Sequence, residues 1–293
     1  MFIAGIDGGG TSTKLELRTE QNERIRREKF GPFNINSIGP DAFRALLRQV
    51  FDACGGMEDC AALCVGAAGI SNRLLQEILN EELENANFHG KFLLCGDQEI
   101  ALRGAMDGPG VALISGTGSI AFGKDELGNT ARSGGYGHLI DDEGSGYALG
   151  RDGLAAVVRA EDGRIPPTAL TQAVYGKLGI STVQELIAFT YSPDTGKAGI
   201  AQISHQVLAC AEAGDEAALR VLRSGAEELS TLVQTVQKKR KLQGCRIALL
   251  GGLIEGDNIY RRIVAEVLRE IGDPIAPAHD ALWGAAQMAY ESL

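Results

Sequence analysis

Two glycine-rich turns, each set between two strand-like segments, constrain this fold more than any other feature of the sequence. The first lies in residues 6–14, Ile-Asp-Gly-Gly-Gly-Thr-Ser-Thr-Lys, and the second in residues 114–119, Ile-Ser-Gly-Thr-Gly-Ser. Because glycine has no Cβ, such a turn can bring its backbone N–H groups against a phosphate. Two such turns could hold one phosphate chain from both sides, which suggests a nucleotide clamped between two related halves.

Other phosphate-binding motifs fit these turns less well. A P-loop requires Gly-Lys followed by Ser or Thr, and the chain contains no such triplet. A Rossmann turn requires a third glycine and then a helix, but Thr13 occupies that position and residues 14–18 alternate polar and apolar side chains. Strict alternation predicts a strand. An ordinary hairpin remains the alternative, although the second copy and the preceding acid, Asp7, favour phosphate binding.

Size, charge and cysteine spacing limit the class of protein. The chain has 293 residues, more than one hydrophobic core usually serves, so we expect two domains. Its net charge of -10 argues against nucleic acid as a partner, because that requires a basic face. No apolar run approaches the roughly 20 residues that span a bilayer, so we expect no membrane segment. The six cysteines form no C-x-x-C pair, which is typical of reduced cytoplasmic thiols.

Hydrophobic periodicity predicts a mixed α/β chain whose pattern begins twice. Three strands open the chain, helices and strands then alternate, and a new strand pair starts after residues 107–110. We therefore predict a first domain of residues 1–105 plus 281–293 and a second of residues 106–280. The predicted strands cover residues 2–7, 12–18, 24–30, 61–66, 92–95, 111–115, 120–123, 131–133 and 246–250. Helices are predicted at 41–53, 72–84, 146–159, 258–271 and 280–293, and 160–240 is mainly helical around a loop at 191–199.

Phosphoryl transfer requires a phosphate cradle, a cation site and a base for the attacking hydroxyl. Asp7 ends a strand beside the first turn and could hold Mg²⁺, which prefers carboxylate, water and phosphate oxygens. Lys14 could neutralise phosphate charge or be a solvated strand residue. The candidates for the phosphate cradle are Gly8, Gly9, Gly10, Thr11, Gly116 and Thr117.

Asp97 is the candidate for the base. It follows a buried strand, where open α/β sheets place their ligands, and a carboxylate there can accept the proton of a sugar hydroxyl. Asp97 could alternatively cap the helix that follows it.

At the end of a later strand, Gly251 and Gly252 could let a flat nucleotide base stack on the backbone.

Two loops are candidates for binding a polyhydroxylated ligand. Residues 134–145 combine many glycines with adjacent acids, which suits neither helix nor strand. Such a loop could bring backbone amides, Tyr136 and Asp142 to the ligand. Asn34 offers a side-chain amide to a sugar, or caps the helix that follows it.

At these residues the chain resembles the N-acetylglucosamine kinase branch of the BadF/BadG/BcrA/BcrD ATPase family, within the actin, hexokinase and heat-shock ATPase superfamily. The resemblance covers nearly the whole chain and is strongest at residues 7–13, 34–39, 96–97, 115–119, 134–145 and 251–253. It implies two RNase H-like (actin-like ATPase) domains, with mixed sheets flanked by helices. It further implies an active site in the interdomain cleft that binds ATP, Mg²⁺ and an amino sugar, in a cytoplasmic homodimer.

The resemblance also implies roles for individual residues. Asp97 would be the base toward the 6-hydroxyl of the sugar, Thr11 and Thr117 would lie at the phosphates, and the helix reaching Ala211 would help form the adenine pocket. One departure concerns the sugar loop, where Asp141 stands beside the key acid and Tyr136 stands where a tryptophan is familiar. The residues expected to line the amino-sugar site are Asn34, Gly135, Tyr136 and Asp142.

Two other functions stay open at this point. The same family contains ATPases that activate 2-hydroxyacyl-CoA dehydratases through a [4Fe-4S] cluster shared by two subunits, and six cysteines leave this alternative open. The segment 134–145 favours the sugar kinase. A non-catalytic sugar sensor is the third possibility, and the acids Asp7 and Asp97 argue against it.

Overall fold

The computed structural model describes all 293 residues, which divide into two compact units. Unit 1 comprises Met1–Asp107 and Pro277–Leu293, and unit 2 comprises Gly108–Ala276. In chain order the elements are β1 (Phe2–Gly8), β2 (Thr13–Thr19), β3 (Arg24–Phe30), α1 (Ile35–Ile38), α2 (Pro40–Ala53), β4 (Cys60–Ala67), α3 (Arg73–Asn85), β5 (Lys91–Cys95), α4 (Asp97–Ala105), β6 (Gly110–Ser115), β7 (Ser119–Lys124), β8 (Thr130–Gly134), α5 (Gly146–Glu161), α6 (Ala169–Leu178), α7 (Val183–Tyr191), α8 (Gly196–Gln202), α9 (Ser204–Glu212), α10 (Glu216–Arg240), β9 (Arg246–Leu250), α11 (Ile259–Leu268), β10 (Asp273–Ile275) and α12 (Ala281–Glu291).

Each unit contains one five-stranded mixed sheet, and the two sheets have the same plan. In unit 1 the strand order is β3-β2-β1-β4-β5, and in unit 2 it is β10-β9-β6-β7-β8. In both, three antiparallel strands continue into two strands parallel to the first. The glycine-rich turns therefore occupy equivalent places, β1–β2 and β6–β7. The mixed α/β class and the repeated topology predicted from the sequence are confirmed.

Strand β1 shows how unit 1 covers both faces of its sheet. Side chains alternate along a strand, and Ala4 and Ile6 accordingly join the core formed with α2 and α3. On the other face Ile3 packs against α12, and a Cβ on Gly5 would lie 2.3 Å from the backbone nitrogen of Ala286. Glycine at position 5 thus lets α12 approach the strand closely.

The second face also buries an ion pair on β2. Arg18 and Glu16 are both buried, and Arg18 Nε donates to Glu16 Oε1 at 2.6 Å. The same guanidinium donates to the carbonyl of Trp283 at 3.1 Å and to the side chain of Gln287 at 3.2 Å. These bonds connect α12 to the sheet, so the C-terminal helix is an integral part of unit 1.

Three short elements differ from the sequence prediction. Helix α8 begins at Gly196, inside the predicted loop, while α1 and β10 were not predicted at all. Helix α8 has seven residues, α1 has four and β10 has three, too few for a periodic signal. Pro274 in β10 is compatible with an edge strand.

None of the helices combines the length and the apolar character needed to cross a membrane.

Candidate functional site

The parallel strands of unit 1 bring two carboxylates to one edge of the sheet. In the register of β1, β4 and β5, Asp7 pairs with Gly66, and Gly66 pairs with Cys95. Asp97 comes two residues after Cys95, at the start of α4. The carboxyl ends of parallel strands are where open α/β sheets bind ligands. Asp7 and Asp97 together form what we call the acidic edge of unit 1.

The pKa of Asp97 lies above its ordinary value. The main cause is desolvation by the surrounding protein, although the residue still reaches solvent, and the carboxylate of Asp7 adds repulsion. The N–H of Gln98 donates to Oδ1 at 3.0 Å and acts in the opposite direction. A raised pKa makes the carboxylate a better proton acceptor, and Oδ2 is left to serve as one.

Capping of α4 does not depend on Asp97. The N-cap of this helix is Gly96, and its N–H donates to the side chain of Glu99 at 3.1 Å. Asp97 is the first residue inside the helix, where a negative charge is favourable but the cap is already formed. The capping alternative is therefore wrong, and the carboxylate is available for another role.

The first glycine-rich turn is closed by its backbone and open at its tip. The N–H of Gly9 donates to the carbonyl of Ser12 at 3.0 Å. A Cβ on Gly10 would meet no atom within 4 Å, and Thr11 is exposed. Gly8 differs, because a Cβ there would lie 2.7 Å from the ring of Phe33. Packing requires glycine at position 8, whereas Gly10 leaves space that a ligand could fill.

Asp7 is ion-paired across the strands that flank this turn. Asp7 and Lys14 are register partners on β1 and β2, and Nζ of Lys14 lies 3.0 Å from Oδ2 of Asp7. The carboxylate is 15% exposed and the lysine 49%. One carboxylate oxygen, Oδ1, remains for a cation or its water. A carboxylate with solvent access is the donor that Mg²⁺ prefers, so the residues present fit that ion.

The second glycine-rich turn has the same closed base and open tip. The N–H of Gly116 donates to the carbonyl of Gly118 at 2.9 Å, and the N–H of Gly146 donates to the carbonyl of Gly116 at 2.7 Å. A Cβ on Gly116 would again meet no atom within 4 Å, and Thr117 is exposed. The turn is thereby connected to the first residue of α5, whose N-terminus favours an anion.

Hydrogen bonds from three elements hold the segment 142–145 beneath this turn. The N–H of Ser119 donates to Oδ1 of Asp142 at 3.1 Å. The hydroxyls of Ser115 and Tyr260 donate to the carbonyl of Gly144 at 2.9 Å and 2.8 Å. The segment predicted as a sugar loop is thus, in its second half, the support of the phosphate turn.

Asp142 itself is buried, with 3% of its surface exposed. Besides the bond from Ser119, its Oδ2 lies 2.7 Å from Nζ of Lys197 on α8. A Cβ on Gly118 would lie 2.9 Å from its carboxylate. Each carboxylate oxygen accepts one hydrogen bond inside unit 2 and retains capacity for another, so the sugar contact of Asp142 stays a prediction.

The first half of the same loop is exposed. Tyr136 is 61% exposed, with the guanidinium of Arg132 4.9 Å from its ring centroid. Its N–H donates to Oδ2 of Asp141 at 3.0 Å. Gly135 has a φ of +78°, which disfavours a side chain there. This part of the loop therefore presents an aromatic ring to solvent.

Asn34 in unit 1 is a helix cap. Its Oδ1 accepts the N–H of Asn36 at 3.1 Å, which caps the short helix α1. The capping alternative is correct in kind, although the capped helix is α1 rather than α2. The Nδ2 group of Asn34 is not used by the cap and can still donate to a ligand.

Unit 2 contains a pocket of about 380 Å³ beside the second turn. Gly116, Thr117 and Gly252, three of the residues predicted to bind the nucleotide, line it. The other wall contains His205 on α9, the helix that the family resemblance places at the adenine, and Gln202 on α8. The sequence gives no separate signal for α8, because its first residues fall in the predicted loop 191–199. An open pocket of this size and mixed lining is suitable for a purine.

Two predicted residues near this pocket have different roles. Ala211 lies about two turns beyond Ser204 on α9 and is buried in the core of unit 2, so its side chain does not reach the pocket. Gly251 underlies the pocket: its φ is +90°, and a Cβ would lie 2.5 Å from the carbonyl oxygen of Ser115. Only glycine allows β9 to end so close to the second turn.

The six cysteines are all buried or half-buried. Burial raises the pKa of Cys54 and of Cys60 to about 12. The pKa of Cys95 is also raised, by the neighbouring thiol of Cys64 at 3.9 Å and by desolvation. Iron–sulfur clusters require thiolates, and a cluster between two subunits requires them at the surface. These thiols do not fit such a cluster.

Comparison with known proteins gives consistent matches over nearly the whole chain. The model of the BadF/BadG/BcrA/BcrD ATPase family matches residues 4–289. An N-acetylmuramic acid/N-acetylglucosamine kinase from Clostridium acetobutylicum is 32% identical over 265 residues, covering 88% of this chain and 87% of that protein. The N-acetyl-D-glucosamine kinase of Dictyostelium discoideum is 30% identical, covering 92% and 90%. A solved structure of a candidate N-acetylglucosamine kinase from Chromobacterium violaceum has a TM-score of 0.78 at 26% identity, covering 98% of each chain.

Proposed function

The chain belongs to the BadF/BadG/BcrA/BcrD ATPase family, and on that premise we propose that it is an ATP-dependent amino-sugar kinase. It transfers the γ-phosphate of ATP to the 6-hydroxyl of N-acetylglucosamine or a closely related sugar. The observation that carries this proposal is Asp97: an accessible carboxylate at the carboxyl end of a sheet, with a raised pKa and no structural task.

Asp97 is the general base in this proposal. The attacking hydroxyl oxygen forms a bond to the γ-phosphorus while the bond from that phosphorus to the β–γ bridging oxygen breaks, so that ADP leaves. The hydroxyl proton passes to Oδ2 of Asp97, since Oδ1 already accepts the N–H of Gln98. The neighbouring Asp7 makes this proton transfer more favourable by repelling the charge on Asp97.

The two glycine-rich turns serve the nucleotide. The open positions Gly10 and Gly116 let phosphate oxygens approach the backbone, and Thr11 and Thr117 add exposed hydroxyls. In unit 2 the adjoining pocket of about 380 Å³ takes the adenosine part. Gly252 contributes to that pocket.

Asp7 and Lys14 serve the phosphate charge in this proposal. Asp7 would hold Mg²⁺ directly or through water, and the ion would supply charge neutralisation at the transferred phosphate. Lys14 pairs with one oxygen of Asp7 and leaves the other available to the ion. Loss of activity with EDTA and its return with Mg²⁺ would support this assignment, whereas full activity in EDTA would refute it.

Asn34, Gly135 and Tyr136 serve the sugar. The free Nδ2 of Asn34 can donate to a hydroxyl or an acyl oxygen, and the exposed ring of Tyr136 can stack on the apolar face of a pyranose. A tyrosine ring offers less stacking area than the tryptophan that the family resemblance leads one to expect at this position, so we infer that Tyr136 affects which sugars are accepted.

The dehydratase activator is disfavoured as a second function, because its cluster requires exposed thiolates and none of the six cysteines is exposed.

We further propose that the kinase acts in the cytoplasm as a homodimer. Light scattering at working concentration tests the dimer, and a mass equal to one chain would refute it.

The test of the proposed function is ADP release across a panel of hexoses, amino sugars and N-acetylated amino sugars. We expect turnover with N-acetylglucosamine or a near relative, and little ADP release without sugar. Phosphorus NMR of the product then identifies the phosphorylated hydroxyl. ADP release that is equal with and without every sugar, or a product phosphorylated at C1, would contradict the proposal.

A further inference from the structure

An ion pair lies directly beneath the second glycine-rich turn and has no role in the reaction described above. Nζ of Lys197 lies 2.7 Å from Oδ2 of Asp142, whose other oxygen accepts the N–H of Ser119 at 3.1 Å. One carboxylate thus separates the ammonium group from the backbone of the turn. The aspartate side chain is 4% exposed and the lysine side chain 30%.

The location of Asp142 creates an electrostatic problem for a phosphate-binding turn. A buried carboxylate lies within contact distance of Gly118, since a Cβ there would be 2.9 Å from its Oδ1. In the low dielectric of a protein such a charge repels a polyphosphate bound at the same turn. A buried charge is also costly unless it is paired. Lys197 is the cation that the structure supplies.

Lys197 also adjoins the wall of the neighbouring pocket. It is the second residue of α8, and the next residue, Ala198, lines the pocket beside Gly116. The ion pair therefore joins the pocket wall to the phosphate turn. Neither the family motifs nor the periodicity indicates Lys197, because it falls in the predicted loop 191–199.

We propose that Lys197 is a positioning residue for the nucleotide: it neutralises Asp142 so that the second turn accepts the phosphates of ATP, and it holds α8 against that turn. This inference rests on the proposed kinase function. It gives Asp142 a role on the nucleotide side of the reaction, beside the sugar contact predicted from the sequence.

The test compares three substitutions with a matched control. Lys197→Met removes the charge and keeps the aliphatic length, Lys197→Arg keeps the charge, and Lys197→Met with Asp142→Asn removes both charges while retaining an oxygen for Ser119. The control is Lys177→Met, on α6, whose lysine is exposed and does not line the pocket. Calorimetry with ATP and initial rates with ATP and sugar varied separately give Kd, kcat and both KM values.

We expect Lys197→Met to raise Kd and KM for ATP about tenfold or more, with a much smaller change in KM for the sugar. Lys197→Arg and the double variant should recover most of that loss, since a purely structural defect would persist or worsen in the double variant. An unchanged KM for ATP in Lys197→Met, or a double variant no better than Lys197→Met, would overturn the inference alone. Wild-type protein that binds no ATP would overturn the proposed function together with it.

Discussion

Replacing Gly116 by alanine separates the two reasons for which a turn keeps a glycine. The φ of Gly116 is not in the left-handed region, and a Cβ there would meet no atom within 4 Å. Neither backbone strain nor packing therefore requires glycine at this position. If phosphate oxygens approach the backbone here, the added methyl group occupies their place.

The expected effects on stability and on binding have opposite signs. Because the folded protein accommodates the methyl group, Gly116→Ala should stabilise unit 2 by about 0.4–1 kcal/mol, through the lower entropy of the unfolded chain. That corresponds to a rise in Tm of roughly 1–4 °C. Loss of one hydrogen bond to a charged phosphate costs about 1.5–3 kcal/mol, so Kd for ATP should rise roughly 10- to 150-fold.

Calorimetric titration with ATP and thermal unfolding of the unliganded protein measure the two effects separately. Gly176→Ala is the matched control: it lies on α6, has equally open space around its Cβ, and should gain stability without losing ATP affinity. Gly118→Ala should lose both, because its Cβ would lie 2.9 Å from the engaged carboxylate of Asp142. Wild-type ATP affinity in Gly116→Ala would refute the assignment of this turn to phosphate.

Three further predictions concern the acidic edge, the sugar contact and the support of the second turn. Since the pKa of Asp97 is raised, kcat/KM should fall as pH is lowered through that raised value, with an acid limb above the range of an ordinary aspartate; a pH–rate profile flat down to pH 4 would contradict this. Asn34→Ala should cost about 1–3 kcal/mol in kcat/KM for the sugar at unchanged KM for ATP, as measured by initial rates. Tyr260→Phe should lower the free energy of unfolding by only about 1 kcal/mol, because Ser115 still donates to the carbonyl of Gly144; a loss above 3 kcal/mol in denaturant would contradict that.

The strands and long helices were predictable because their signals are local. Strand β1 is a mostly apolar run and β2 alternates polar and apolar residues, and α2 buries Phe43, Leu46, Leu47, Val50 and Phe51 at helical spacing. The repeated strand plan of the two units follows from the same patterns, and the family resemblance is confirmed. What the pattern lacked was information on elements of three to seven residues, such as β10 and α8.

The candidate site was predictable where a residue's role depends on its own strand. Asp7 lies near the end of β1 and Asp97 follows β5, and both strands are parallel neighbours of β4, so their shared edge could be expected. The partners of Asp142 could not, because Lys197 lies 55 positions away and meets it only through the packing of α8. For the same reason the core position of Ala211 was not visible from the spacing of its neighbours.

The central claim, that Asp97 is the base of a phosphoryl transfer to a sugar hydroxyl, is tested most directly by kcat of Asp97→Asn. The amide keeps the shape and the bond from Gln98 but cannot accept a proton. A raised pKa means that ionisation is less favourable in the folded than in the unfolded protein, so at neutral pH the variant should be at least as stable as wild type. We predict a fall in kcat of about 10²–10⁴-fold with ATP affinity and Tm retained; near-wild-type turnover would contradict the account.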